Sequence, residues 1–132
     1  MRVLVDTSVW SLALRKHGPT LHPATDKLAQ LLRDGEDLFL TGTILQEVLQ
    51  AFRAESTFRR MVQQFEPFPL LPVDRSDSIA AARLFRLCAQ KGAGASTVDC
   101  QIAVLAIRHR CALLSTDKDF ERMARYCDLT LA

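Results

Sequence analysis

Val3-Leu4-Val5-Asp6-Thr7-Ser8-Val9-Trp10 places three aliphatic side chains in a row, two of them β-branched, and then stops at an acid and two hydroxyls. A continuous apolar run of this length, ended by residues that favour turns and helix caps, reads as a strand buried on both faces that delivers an acid at its end. The same signature returns near the other end of the chain. Residues 112–114 (Ala-Leu-Leu) form a second candidate strand, which runs into Ser115-Thr116-Asp117.

Between these two stretches the pattern alternates. Residues 9–14 form a short segment, and 16–25, with Gly18, Pro19 and Pro23, reads as a surface loop because proline and glycine disfavour continuous helix. Leu28, Leu31 and Leu32 sit at helical spacing and stop before Gly35, a helix terminator. Residues 38–40 read as a strand and 41–43 (Thr-Gly-Thr) as a turn into the helical pattern of 44–49, which places Glu47 near a helix start. Helix is expected over 56–65, ended by Pro67 and Pro69. Strand follows over 70–73, helix over 76–90 and again over 96–108 with Asp99 in its first turn. Asp119 is placed to cap a last helix, and 129–131 reads as a final edge strand. Strand and helix in alternation predict an α/β fold, a central and mainly parallel sheet with right-handed crossovers, covered by helices.

Composition narrows the class. A chain of 132 residues fits a single domain, 1–132, and 48% hydrophobic residues provide for a packed core. No apolar run approaches the ~20 residues of a membrane-spanning helix, and the N-terminus lacks a signal-peptide pattern, so a cytoplasmic protein is expected. Cys88, Cys100, Cys111 and Cys127 are scattered, which predicts reduced, mostly buried thiols rather than disulfides or a zinc site. Seventeen basic against fifteen acidic side chains give +2, too little to decide on a nucleic-acid partner. Arg53, Arg59 and Arg60 cluster on one helix and Arg83, Arg86 and Lys91 on another; both groups read as solvated faces that could also meet phosphates. His22 and His109 lack partners at ligand spacing and read as surface or loop residues. Trp10 reads as a core or dimer-interface anchor.

In a parallel sheet, side chains that follow the strands converge at one edge. Asp6 and Asp117 hold such positions, while Glu47 and Asp99 are expected one turn into helices and facing inward. Taken singly, each acid has an ordinary structural reading: helix cap for Asp6, solvated helix residue for Glu47, partner of the helix dipole for Asp99, turn or cap for Asp117 and Asp119. As a set, carboxylates gathered away from water repel one another unless a cation neutralises them. With oxygen donors and no patterned Cys or His, that cation would be Mg²⁺ or Mn²⁺, and hydrolysis of a phosphate backbone is the matching chemistry.

The segments Val5-Asp6-Thr7-Ser8-Val9-Trp10, Gln46-Glu47-Val48, 97–103 (Thr-Val-Asp-Cys-Gln-Ile-Ala) and 115–120 (Ser-Thr-Asp-Lys-Asp-Phe) resemble, in order and spacing, a PIN domain of the kind found in VapC-type toxins. The resemblance covers essentially the whole chain. It implies a three-layer α/β/α fold and a metal-dependent endoribonuclease that cleaves RNA as the toxin of a type II toxin-antitoxin pair. It also implies a homodimer and a cognate VapB-type antitoxin that blocks the active site. Carried onto this sequence, it makes Asp6, Glu47, Asp99 and Asp117 the catalytic and metal-binding acids, with Asp119 a further ligand or a helix cap. Ser8, with Thr7 as the alternative, supports the first acid, and Ser115 stands where many relatives carry Thr. Two other readings differ in class. A non-catalytic RNA-binding regulatory module would keep the fold, although the intact acid set argues against it. A phosphatase using Asp6 as nucleophile would be served by a second acid at position 8, where Ser8 stands.

Overall fold

The computed structural model describes residues 1–15 and 21–132. Among them the order is β1 (Arg2–Val5), α1 (Thr7–Ala13), α2 (Pro23–Arg33), β2 (Asp37–Thr41), α3 (Gly42–Gln50), α4 (Glu55–Phe65), β3 (Leu70–Leu71), α5 (Arg75–Gln90), α6 (Thr97–Arg108), β4 (Ala112–Leu114) and α7 (Asp119–Met123). The strands align as β3-β2-β1-β4, every pair parallel. Val3, Leu4 and Val5 are all fully buried, as a strand covered by helices on both faces must be. The architecture is three-layer α/β/α.

This order has one reversal. The chain steps from β1 to β2 to β3 on one side, then crosses through α5 and α6 to lay β4 against the other side of β1. The crevice at the carboxyl ends of β1 and β4 is therefore the switch point where open α/β sheets place their ligands. The two strands are locked there by the Asp6 amide, which donates to the Leu114 carbonyl at 2.9 Å.

Local chemistry sets the helix ends. Thr41, Asp74 and Ser96 each accept a backbone amide at the start of α3, α5 and α6, and Asp77 completes a capping box with Asp74. Gly35 and Gly92 adopt φ of 67° and 69° after α2 and α5. Glu36 and Ala93 then donate back to Leu31 and Cys88, which closes a Schellman turn at each place.

Several boundaries differ from the sequence reading, each for a physical reason. Pro23 begins α2 instead of sitting in a loop, because a missing amide costs nothing at the first helical position; Gly18 and Pro19 lie outside the described residues. The turn expected at 41–43 is the end of β2 running directly into α3, so Glu47 falls in the body of that helix. β3 stops at Leu71 because Pro72 has no amide for a ladder. The tail at 129–131 makes a single bridge, Leu131 to Leu113, rather than a strand. Leu28 and Leu31 enter the core while Leu32 stays exposed.

Trp10 is buried and packs edge-on against Phe65 at 4.9 Å and against Phe68 at 5.4 Å, a core anchor. The cysteines are free, with Cys88, Cys100 and Cys111 buried and Cys127 half-buried. His22 caps α2 through its Nδ1, which accepts from the Ala24 amide, and His109 is half-buried with its carbonyl held by Arg2. Neither is a plain surface residue.

Candidate active site

The acids gather at the switch point. Asp6, the residue after β1, is 8% exposed, and its Oδ2 accepts hydrogen bonds from Ser8 Oγ and Ser115 Oγ, both at 2.8 Å. The two hydroxyls lie 3.3 Å apart and each also accepts a backbone amide from the loop after β4, Thr116 to Ser8 and Asp117 to Ser115. Ser8 and Ser115 thus clamp the ends of the two central strands together around one carboxylate. Hydrogen bonds of this kind favour the charged form and fix its orientation.

Asp99 sits in the first turn of α6, set in place by the Ser96 cap, whose Oγ accepts from the Asp99 amide at 3.0 Å. Its carboxyl titrates above the ordinary range, chiefly because it is partly withdrawn from water, with the negative charges of Asp117 and Asp6 pushing the same way. Asp117 is exposed, and its Oδ1 accepts from the Asp119 amide at 2.9 Å. Asp119 is the first residue of α7 and Lys118 holds the cap position without a side-chain bond, so Asp119 is not the helix cap expected from the sequence.

One carboxylate oxygen from each of Asp99, Asp117 and Asp119 lies within 4.8 Å of the other two. Asp6 joins this trio through Ser115, which bonds both Asp6 and the Asp117 backbone. Glu47 stands outside the trio, on α3, and is tied to the start of α1 by Thr7 Oγ1, which donates to Glu47 Oε1 at 3.2 Å. The two hydroxyls after Asp6 therefore divide the work: Ser8 holds the first acid and Thr7 holds Glu47. Asp119 also pairs with Arg122, one turn along α7, so part of its charge is already balanced. Among the described residues no Lys or Arg pairs with Asp6, Glu47, Asp99 or Asp117.

A model of the PIN domain family matches residues 3–126. The chain belongs to the PIN domain family. A VapC ribonuclease of Mycobacterium bovis and Ribonuclease VapC11 of Mycobacterium tuberculosis are each 30% identical to it over 132 residues, spanning 98% of this chain and 97% of the relative. Among solved structures, FitAcB from Neisseria gonorrhoeae superposes with a TM-score of 0.75 at 21% identity, over 98% of this chain and 95% of that one. VapBC2 from Rickettsia felis, bound to a DNA fragment from its promoter, superposes with a TM-score of 0.76 at 17% identity, over 100% and 98%. The fold of this PIN domain is thus shared well below the level at which side chains can be equated.

Sequence reasoning passed over two parts of the site. Ser96 was legible, since Ser-x-x-Asp at 96–99 is a capping pattern that fixes the Asp99 backbone. The Thr7 to Glu47 bond was not, because it joins residues forty positions apart.

Proposed function

We propose that this PIN-domain chain is a Mg²⁺- or Mn²⁺-dependent endoribonuclease, acting as the toxin of a type II toxin-antitoxin pair and restrained by a cognate VapB-type antitoxin. The observation that carries the reading is the carboxylate trio of Asp99, Asp117 and Asp119 beside Asp6, gathered at the switch point, where among the described residues only Asp119 has a cationic partner, Arg122. The ribonuclease relatives from two mycobacteria support the reaction class, and the VapBC complexes among the structural relatives support the partner.

The donor set fits a hard divalent ion: it offers carboxylate oxygens only, with no thiol or imidazole among them. Asp6, Asp99 and Asp117 would hold it, with Asp119 as a further donor. When bound, such an ion supplies charge neutralisation at a phosphodiester and a more acidic water.

The chain's own residues do the rest. Ser8 and Ser115 prevent Asp6 from turning away, so the carboxylate stays aimed at the crevice. The Ser96 cap does the same for the Asp99 backbone. Glu47, set apart from the trio and oriented by Thr7, takes the role of holding the attacking water and receiving its proton. A second copy of the chain completes the assembly, with Ile79 and Phe85 of α5 exposed and available to an interface. The expected location is the cytoplasm; among the described residues no helix is long and apolar enough to cross a membrane.

The test is cleavage of an RNA pool by purified protein with Mg²⁺, Mn²⁺ or EDTA, beside Asp6→Asn and Asp99→Asn variants. Cutting that needs the ion and falls by about 100-fold or more in both variants is the expected result. RNA binding without cutting under either ion would leave the non-catalytic RNA-binding module as the better reading.

A further inference from the structure

A groove of about 790 Å³ opens at the far ends of α1 and α3, between them and α4. Its floor is apolar, with Val48, half-buried Phe52 and Met61, and its rim carries Arg15, Arg53 and Arg60. Thr57, Arg60 and Met61 share one face of α4 because residues three and four apart align on a helix. Arg59 points elsewhere and is engaged by Glu55. The cluster of Arg53, Arg59 and Arg60 seen in the sequence is therefore divided by the fold, and Arg15 replaces Arg59.

Three features give this groove a direction and an occupant. Arg15, Arg53 and Arg60 are exposed and, among the described residues, form no ion pair. No described carboxylate lines the groove. The groove also begins beside the acids: Ser11 follows Thr7 by one helical turn and Ala51 follows Glu47 by one turn, so the bonded Thr7–Glu47 pair lies only ~6 Å along the helix axes from residues that line it.

We propose that this groove carries the single-stranded RNA flanking the cleaved bond, with Arg15, Arg53 and Arg60 on its phosphates and Phe52 beneath a base. The inference rests on the ribonuclease reading of the neighbouring acids and adds the track by which substrate reaches them. An apolar floor under a cationic rim matches a strand whose bases are unpaired, because a base face packs on the aromatic ring while the backbone stays at the guanidinium groups. A duplex, whose base faces are stacked inside, has nothing to place on that floor. Arginine suits the rim because its planar fork can grip a phosphate with two hydrogen bonds.

The experiment measures binding of a fluorescent single-stranded RNA to the full chain in EDTA, over a range of salt, for wild type, the triple variant Arg15→Ala/Arg53→Ala/Arg60→Ala and the matching triple lysine variant. All three positions are exposed, and circular dichroism confirms folding. The alanine variant is expected to bind at least tenfold more weakly, with a slope of log affinity against log salt reduced by about 2, as three lost phosphate contacts predict. The lysine variant is expected to keep the slope. Phe52→Leu is expected to weaken binding about fivefold at unchanged slope. Cleavage under Mn²⁺ is expected to show KM raised and kcat retained in the alanine variant.

Equal affinity and equal slope in the folded alanine variant, with wild type cutting RNA normally, would overturn the groove and leave the nuclease standing. Loss of binding to a protein partner with RNA affinity intact would also overturn it, by assigning the groove to that partner. Arginine-dependent binding of RNA that no ion causes to be cut would keep the groove and overturn the nuclease.

Discussion

Asp77 and Asp6 are both buried, at 2% and 8% exposure, yet the protein treats their charges in opposite ways. Asp77, in the first turn of α5, is gripped at both oxygens by Arg108 of α6: Nε donates at 2.6 Å and Nη2 at 2.8 Å. It also accepts the Asp74 amide in the capping box, and Arg108 extends a further bond to the Pro72 carbonyl. That acid is fully satisfied inside the protein and ties two helices together. Among the described residues Asp6 receives two side-chain hydroxyls, and its neighbours Asp99 and Asp117 add negative charge without a guanidinium paired to it. Charge that the fold neutralises serves stability. Charge that it leaves open is available to something that binds.

The largest expected break in this comparison comes from the satisfied side. Arg108→Ala strands a buried carboxylate that has lost both of its guanidinium bonds, and a clear loss of stability is expected. Urea denaturation would show it as a lower midpoint at unchanged slope. RNA cleavage per folded molecule should not move, and a specific loss of cleavage would mean that the two regions are coupled.

The open side should respond with the reverse sign. Asp99→Asn removes one of several crowded negative charges and is expected to leave the metal-free protein as stable or more stable, by up to about 1 kcal/mol. Adding Mg²⁺ or Mn²⁺ should raise the melting temperature of wild type and of Arg108→Ala, and do little for Asp99→Asn, because a ligand stabilises only the state that binds it. Equal metal-induced shifts in wild type and Asp99→Asn would contradict the assignment of Asp99 as a ligand.

The smallest effect sharpens the boundary between the two regions. Cys100, next to Asp99 on α6, is buried, and burial pushes its thiol up to about 11. A raised thiol releases its proton only at higher pH, so at pH 8 about one molecule in a thousand carries the reactive thiolate. Iodoacetamide should label Cys100 very slowly in the native state, faster as pH rises toward 11, and rapidly in urea. Fast labelling at pH 8 would show that the first turn of α6 opens to solvent.

Much of this was legible in the sequence because it is local. The aliphatic run at 3–5 followed by Asp6 and the run at 112–114 followed by Asp117 each act on backbone within a few positions; the caps Thr41, Asp74 and Ser96 are equally local, although the sequence reading passed over them. Alternating elements of this kind admit few topologies other than a helix-covered parallel sheet. The family resemblance named Asp6, Glu47, Asp99 and Asp117 as a set, and the fold gathers Asp6, Asp99 and Asp117 at the crevice it creates. The relation of Asp119 and Glu47 to that centre was not legible. It depends on whether a side chain at one end of the chain meets a loop at the other, as Ser8 meets Ser115, or which of two adjacent hydroxyls turns toward α3.

The amino-acid sequence by itself determined the strands at the centre of the sheet and the alternation of strand and helix, and marked the acids as candidates, since backbone hydrogen bonding and hydrophobic periodicity are written within a few residues. Only the tertiary structure decided which charges are neutralised and which stay open. It paired Arg108 with Asp77 across 31 positions, separated Arg59 from Arg53 and Arg60, and brought Arg15 to their groove. The reason is physical: the energy of a charge depends on what surrounds it in space, and those surroundings come from segments far apart along the chain.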